Sequence, residues 1–208
     1  MAWKRRGRAY HHGNLREALV KAALDLIAEK GPSGFTFAEA ARSAGVSPAA
    51  PYRHFRDRDE LLADVARRGF EEFAGVLDRA WDQGRPDPQT AFERMGRAYL
   101  AFARSEPAFY SAMFESGLPV SEDVELRDAS ERAYAVLRGA AEVLVATLPA
   151  KGRPPASMVS FHIWALSHGI AALFARGDEG RRKLPIAPED LLEAGLLIYL
   201  RGLGTAGS

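Results

Sequence analysis

The chain has 208 residues, 47% of them hydrophobic and none of them cysteine, so a sizeable core is possible while disulfides, zinc–thiolate sites and a cysteine nucleophile are excluded. Its net charge of +1 hides a division: residues 1–56 hold 10 Lys and Arg against 4 Asp and Glu, while residues 57–208 hold 18 against 23. No run approaches about 18 uninterrupted apolar residues and the basic start lacks the apolar stretch of a signal peptide, so a soluble cytoplasmic protein without a membrane partner is expected, one end of it facing a polyanion.

Nearly every segment carries a helical period, and none alternates long enough for a strand; the expected fold class is all-α, with about nine helices. A basic arm over residues 1–12, with Lys4-Arg5-Arg6-Gly7-Arg8, precedes the first helix. There Leu15, Ala18, Leu19, Ala22, Ala23, Leu26 and Ile27 form one apolar stripe behind Asn14 as N-cap, and Gly31-Pro32 ends the helix. Thr36 caps a short helix burying Phe37, Ala40 and Ala41. Ala44-Gly45-Val46 turns the chain, with Gly45 free to take positive φ and Val46 directed inward. Ser47 then caps a second short helix with Pro48 at its first position, and Pro51, which costs a hydrogen bond there, keeps the element short and stiff. Two short helices around a glycine turn form the geometry that seats the second helix in the major groove of duplex DNA.

A long helix over about 57–83 follows, with Leu62, Val65, Ala66, Phe70, Phe73, Val76, Leu77 and Trp81 on one stripe. Further helices are expected at about 88–105, 107–117, 122–148, 155–176 and 188–203, punctuated by Pro107, Pro149, Pro154-Pro155, Pro185 and Pro188, with Arg176–Ala187 as a surface loop. Helix 155–176 is apolar on two opposite sides and so must be covered twice. Phe161, Trp164, Ala165, His168 and Ala172 share one side; Val159, Ile163, Leu166, Ile170 and Leu173 share the other. Ile163, Leu166, Ile170 and Leu173, together with Leu196, Ile198 and Tyr199 of the last helix, are the expected homodimer interface, with Ala194, Gly195 and Gly202 allowing close helix approach. The aromatic-rich stretch Tyr99, Phe102, Phe109, Tyr110, Met113 and Phe114, facing Trp164 and His168, is the expected small-molecule pocket: an apolar wall with a few polar groups.

The stretch from His11 to about Phe73, above all AGVSPAAPYRHF followed by DRDELLADV, resembles the DNA-binding domain of the TetR family of transcriptional regulators, and Trp-x-x-x-His-Gly at 164–169 resembles a C-terminal domain of one branch of it. The resemblance implies a helix-turn-helix domain over 13–73, its motif at about 36–55, and a helical ligand-binding and dimerisation domain over 74–208. It also implies phosphate contacts from Thr36, Tyr52, His54 and Arg58, and base contacts from Ser47, Ala49, Ala50 and Arg53. Arg53 is the best candidate for reading a guanine, because its fork matches O6 and N7, and an alanine methyl suits a thymine methyl. Ala40 stands where the family commonly has isoleucine and Arg58 where lysine is usual. The implied partners are a palindromic double-stranded DNA operator, a second copy of the chain and a small-molecule effector, and the implied role is that of a repressor that an inducer releases. A DNA-binding architectural protein without a ligand is the alternative; it predicts steep salt dependence without a defined site.

An enzyme is not expected. His11, His12, His54, His162 and His168 do not fall at metal-ligand spacing with carboxylates, no glycine-rich phosphate loop is present, and no cofactor or metal is implied.

Overall fold

The structure, a computed structural model, describes residues 15–151, 153–174 and 185–205. The basic arm, Asn14, His11, His12 and most of the expected loop Arg176–Ala187 lie outside the described residues. All regular structure among the described residues is helical: α1 (Leu15–Lys30), α2 (Phe37–Ser43), α3 (Arg58–Trp81), α4 (Pro88–Ser105), α5 (Pro107–Phe114), α6 (Val124–Ala146), α7 (Ala156–Phe174) and α8 (Pro188–Thr205), with short 3-10 turns at Pro51–Arg53 and Asp82–Gly84.

The boundaries follow from local chemistry. Asp57, Asp87 and Asp123 each accept a hydrogen bond from the backbone N–H three residues on, at 2.9 Å, and so open α3, α4 and α6. Pro88 and Pro107 occupy the first turns of α4 and α5, where a missing N–H costs nothing. The backbone N–H of Gly31, at φ 77°, donates to the carbonyl of Ile27 at 2.8 Å and ends α1.

The helix expected from Ser47 is instead a single 3-10 turn. Pro51 has no N–H to return to the Ser47 carbonyl, so the chain tightens: Ala50 N–H donates to that carbonyl at 3.0 Å, and the N–H groups of His54 and Phe55 both reach the Pro51 carbonyl, at 2.9 and 3.0 Å. Ser47 is therefore no N-cap; Ala50 precedes the turn and makes no side-chain cap bond.

Helix α3 is the axis of the molecule. Its first half packs against α1 through Leu61, Leu62 and Val65, and its second half packs against α4, α5 and α6 through Phe70, Phe73 and Leu77. The boundary expected at residue 73 thus falls inside an unbroken helix. At Gly69 a Cβ would lie 2.8 Å from the Met113 sulfur, so glycine lets α5 close onto α3. Helix α7 packs on α4, α6 and α8, and one continuous core joins all of these layers.

Candidate nucleic-acid interface and effector cavity

The motif rests on a small apolar base. Ala40 and Ala41 of α2 are fully buried, as are Phe35, Pro51 and Phe55, and the Arg16 guanidinium lies over the Phe55 ring at 4.9 Å. Thr36 closes a capping box: its hydroxyl accepts from Glu39 N–H at 3.2 Å, while Glu39 Oε2 accepts from Thr36 N–H at 2.8 Å. Lys30 adds an ion pair to Glu39, and the Lys30 bond with those to Thr36 holds that carboxyl at about 2. Between the two elements Gly45, at φ 73°, lets Val46 N–H reach back to the Ala41 carbonyl at 3.0 Å.

This base presents Ser47, Pro48, Ala49, Tyr52, Arg53 and His54 to solvent, while Ala50 is half-buried beneath them. Tyr52 is 63% exposed yet held edge-on against Phe37, ring centres 5.1 Å apart. The Arg53 guanidinium makes no hydrogen bond or ion pair among the described residues, so its donors are unspent. Six of the eight residues expected at DNA thus lie on or beneath this exposed segment, and Thr36 is exposed at the head of α2. Arg58 does not join them as a free cation. Its guanidinium donates to the carbonyls of Phe35 (3.0 Å) and Pro32 and to Asp59 (2.7 Å), and it lies over the Phe35 ring. The planar guanidinium spreads Nε, Nη1 and Nη2 towards three separate acceptors, a reach that the compact ammonium of a lysine does not match.

Sequence reasoning missed an ionic network behind the patch. Asp64, 5% exposed, stands in an apolar run of α3 and accepts from Arg16 of α1 (2.9 Å) and from Arg67 and Arg68 (2.7 and 3.1 Å). Arg68 also forks onto Glu17 of α1, both bonds 2.6 Å. Towards α6, Arg67 Nε lies 3.7 Å from Glu125 and Arg132 lies 3.5 Å from Glu71. Burial alone raises the Asp64 carboxyl, but the Arg16 and Arg67 bonds outweigh it and hold it below its ordinary value. The signal was present: one aspartate amid Leu61-Leu62-Ala63 and Val65-Ala66, with arginines three and four residues on.

The aromatic cluster encloses a slit of about 20 Å³, room for about one water, between α3, α4, α6 and α7. Tyr99, Phe114 and Trp164 line it as expected; Phe70, Phe73, Leu77, Phe92, Met95, Tyr134 and Ile163 complete the apolar wall, with Ser130 and Ser167. Phe102, Phe109, Tyr110, Met113 and His168 do not line it. Phe102 packs behind Phe73, and Phe109 and Met113 meet Gly69. His168 Nδ1 lies 2.9 Å from the Tyr99 hydroxyl and 3.0 Å from that of Tyr110, stacked on the Tyr110 ring. Burial lowers the His168 imidazole from its ordinary value and pushes the Tyr110 hydroxyl up to about 12, so it disfavours the charged form of both.

The two faces of α7 are rotated from expectation. Ile163, Ile170 and Leu196 are buried in the protomer's own core, and Leu166 packs on Gly195, where a Cβ would lie 2.9 Å from a Leu166 methyl. Ile163, Ile170 and Leu196 are therefore not surface residues awaiting a partner, while Leu166 is half-buried. Leu173 and Ile198, 58% and 73% exposed, do face outward, and Tyr199 is half-buried with its hydroxyl 2.9 Å from His162 Nδ1. Ser160 and Ser167, which read as polar, are buried; Ser160 is satisfied by the Ser157 carbonyl and the Tyr134 hydroxyl, both at 2.8 Å. By length and composition α7 is apolar enough to cross a membrane, yet only about a third of it is buried in the protomer.

An all-helical chain that raises such a turn from a helix-turn-helix base has the architecture of a helix-turn-helix regulator. Residues 92–198, more than half of the chain, match the family described as "Tetracyclin repressor-like, C-terminal domain", and residues 19–65 match "Bacterial regulatory proteins, tetR family". The chain belongs to the tetR family, whose members are DNA-binding transcriptional regulators, usually homodimeric. An uncharacterized HTH-type transcriptional regulator of Haemophilus influenzae is 27% identical over 53% of this chain and 59% of its own length. The HTH-type transcriptional regulator BetI of Rhizobium meliloti is 44% identical over 25% of this chain, and the match spans 26% of BetI. Among solved structures, a protein of unknown function from Rhodococcus sp. RHA1 is 28% identical with a TM-score of 0.79, covering 95% of this chain and 100% of its own. The fatty acid degradation regulator FadR of Bacillus halodurans shares the fold at 13% identity and a TM-score of 0.73, over 92% of this chain and 97% of its own.

Proposed function

We propose that this chain is a sequence-specific DNA-binding transcriptional regulator, a binding protein rather than an enzyme, that acts in the bacterial cytoplasm as a homodimer on a palindromic operator. The observation that carries the reading is the exposed turn Tyr52-Arg53-His54, raised on buried Pro51 and Phe55 with the Arg53 fork unspent. Residues 13–73 serve as the reading head and 74–208 as the sensing and pairing part, with α3 common to both. Thr36, Tyr52 and His54 meet phosphates, and Ser47, Ala49, Ala50 and Arg53 approach bases.

The uncovered apolar surface supports pairing. His162, Ala165, Gly169 and Leu173 of α7 run along one exposed stripe, beside Ala194, Leu197 and Ile198 of α8. A second copy of the same stripe, related by a two-fold axis, covers it and sets two reading heads at successive half-sites.

Regulation follows from the shared helix. Phe70, Phe73 and Leu77 wall the slit, and the Asp64–Arg16 and Arg68–Glu17 ties join the same helix to α1. A small molecule that widens the slit moves α3, changes the spacing of the heads and lowers operator affinity by a coupling of about 1–3 kcal/mol. The regulator is a repressor, because occluding a promoter requires no contact beyond the operator. Selection of bound duplexes from a randomised pool tests the reading: a single palindromic consensus is expected, and uniform affinity for all duplexes at moderate salt overturns it.

A further inference from the structure

The lining of the slit specifies the chemistry of what enters it. Of its fifteen residues none is Lys, Arg, Asp, Glu or His, and the only polar side chains are Ser130, Ser167 and the polar atoms of Tyr99, Tyr134 and Trp164. A charged molecule would shed its hydration shell there without meeting an opposite charge, which is prohibitive in so apolar a site. His168 lies outside this lining, its Nδ1 is shared by two tyrosine hydroxyls, and burial disfavours its protonated form.

Seven of the fifteen are aromatic, Phe70, Phe73, Phe92, Tyr99, Phe114, Tyr134 and Trp164, and ring faces and edges are the partners that a flat aromatic frame packs against best. Between α6 and α7 the slit is bordered by rings together with Ser130. Tyr134 and Trp164 line it, and Phe161, 56% exposed at the α6 edge of α7, stacks on Tyr134 at 5.0 Å and parallel to Trp164. Half-exposed rings turn about χ1 and χ2 without breaking backbone hydrogen bonds, so a thin molecule can slide in where these rings now touch.

We propose that the slit is a binding site for an uncharged, flat and largely apolar molecule, admitted between α6 and α7 past Phe161, Tyr134 and Trp164. The proposal rests on the sensing role given above and adds the class of effector to it.

Two probes with one aromatic frame test it on the full-length protein. N-phenyl-1-naphthylamine is uncharged, and 1-anilinonaphthalene-8-sulfonate carries the same rings plus a sulfonate. Fluorescence titration is expected to give at least tenfold tighter binding of the uncharged probe, which adamantan-1-ol, equally uncharged but globular, fails to displace. Ser130→Phe, filling the gap from α6, is expected to abolish that binding while the thermal melt stays cooperative. Ser130→Arg, adding a countercharge at the rim, is expected to shift preference towards the sulfonate. Tighter binding of the sulfonate to the unsubstituted protein would overturn the effector class and leave the sensing role standing, as would displacement by adamantan-1-ol. Binding of the uncharged probe that persists in a folded Ser130→Phe protein overturns the site. If neither probe binds, the slit is mere packing, and both the site and the sensing role fall.

Discussion

Arg53 and Arg58 are five residues apart, both arginine, and the structure gives them opposite employment. Arg53 is unspent on the exposed turn, whereas Arg58 ties the carbonyls of Pro32 and Phe35 to the start of α3. Arg53→Ala is expected to cost about 1–3 kcal/mol at particular operator positions and little elsewhere, measured by titrating single-substituted duplexes; a loss uniform across duplexes would make it a phosphate contact. Arg58→Lys keeps the charge but loses the fork, so the melting temperature should fall while the preferred operator stays the same. His168 gives a third test at this scale. Its imidazole is lowered from 6.5 by burial, partly offset by Glu115, so the unfolded chain takes up a proton that the folded one resists. Stability is therefore full above pH 6.5 and falls as pH drops through that value, by at most about 1.4 kcal/mol per unit. His168→Gln should flatten the melting temperature between pH 7.5 and 5.5.

At the scale of elements, the joint between α1 and α3 depends on one buried carboxylate. Asp64→Ala leaves Arg16, Arg67 and Arg68 without their shared partner. We expect a loss of roughly 2–3 kcal/mol in denaturant unfolding, less than for a fully buried pair because Arg16 reaches solvent. The elements also show where the sequence was readable. The expected starts at about 57, 88 and 122 lie within two residues of those of α3, α4 and α6, where Asp57, Asp87 and Asp123 cap the helices, a signal that acts within one turn. The element after Ser47 was misread as a helix although Pro51 stood in view; the proline removes the bond on which that helix depended. Helix α7 was rotated for another reason. With apolar residues all round, the period carries no phase, and only the hydrogen bonds that satisfy Ser160 reveal which side is inside. The pocket was half legible for a related cause: aromatic density marked the region, but not which rings border the space and which merely back them.

The whole molecule carries two demands on one surface and one helix. If the stripe on α7 and α8 is the pairing surface, Ile198→Glu should yield monomers in sedimentation at micromolar concentration and weaken operator binding. The protomer's own melt should hardly move, because Ile198 is 73% exposed and packs little within it. A dimer that survives this change would move the interface elsewhere. The second demand falls on α3, whose 24 residues span about 36 Å at 1.5 Å per residue. Because the helix is unbroken from the slit to the head, it works as a lever with unequal arms. A tilt of about 5° imposed at the aromatic end, some 18 residues away, swings the far tip by about 2 Å, more than base-edge hydrogen bonds tolerate. On the proposed reading, a molecule one ring thick would suffice to throw two paired heads out of step with the pitch of DNA.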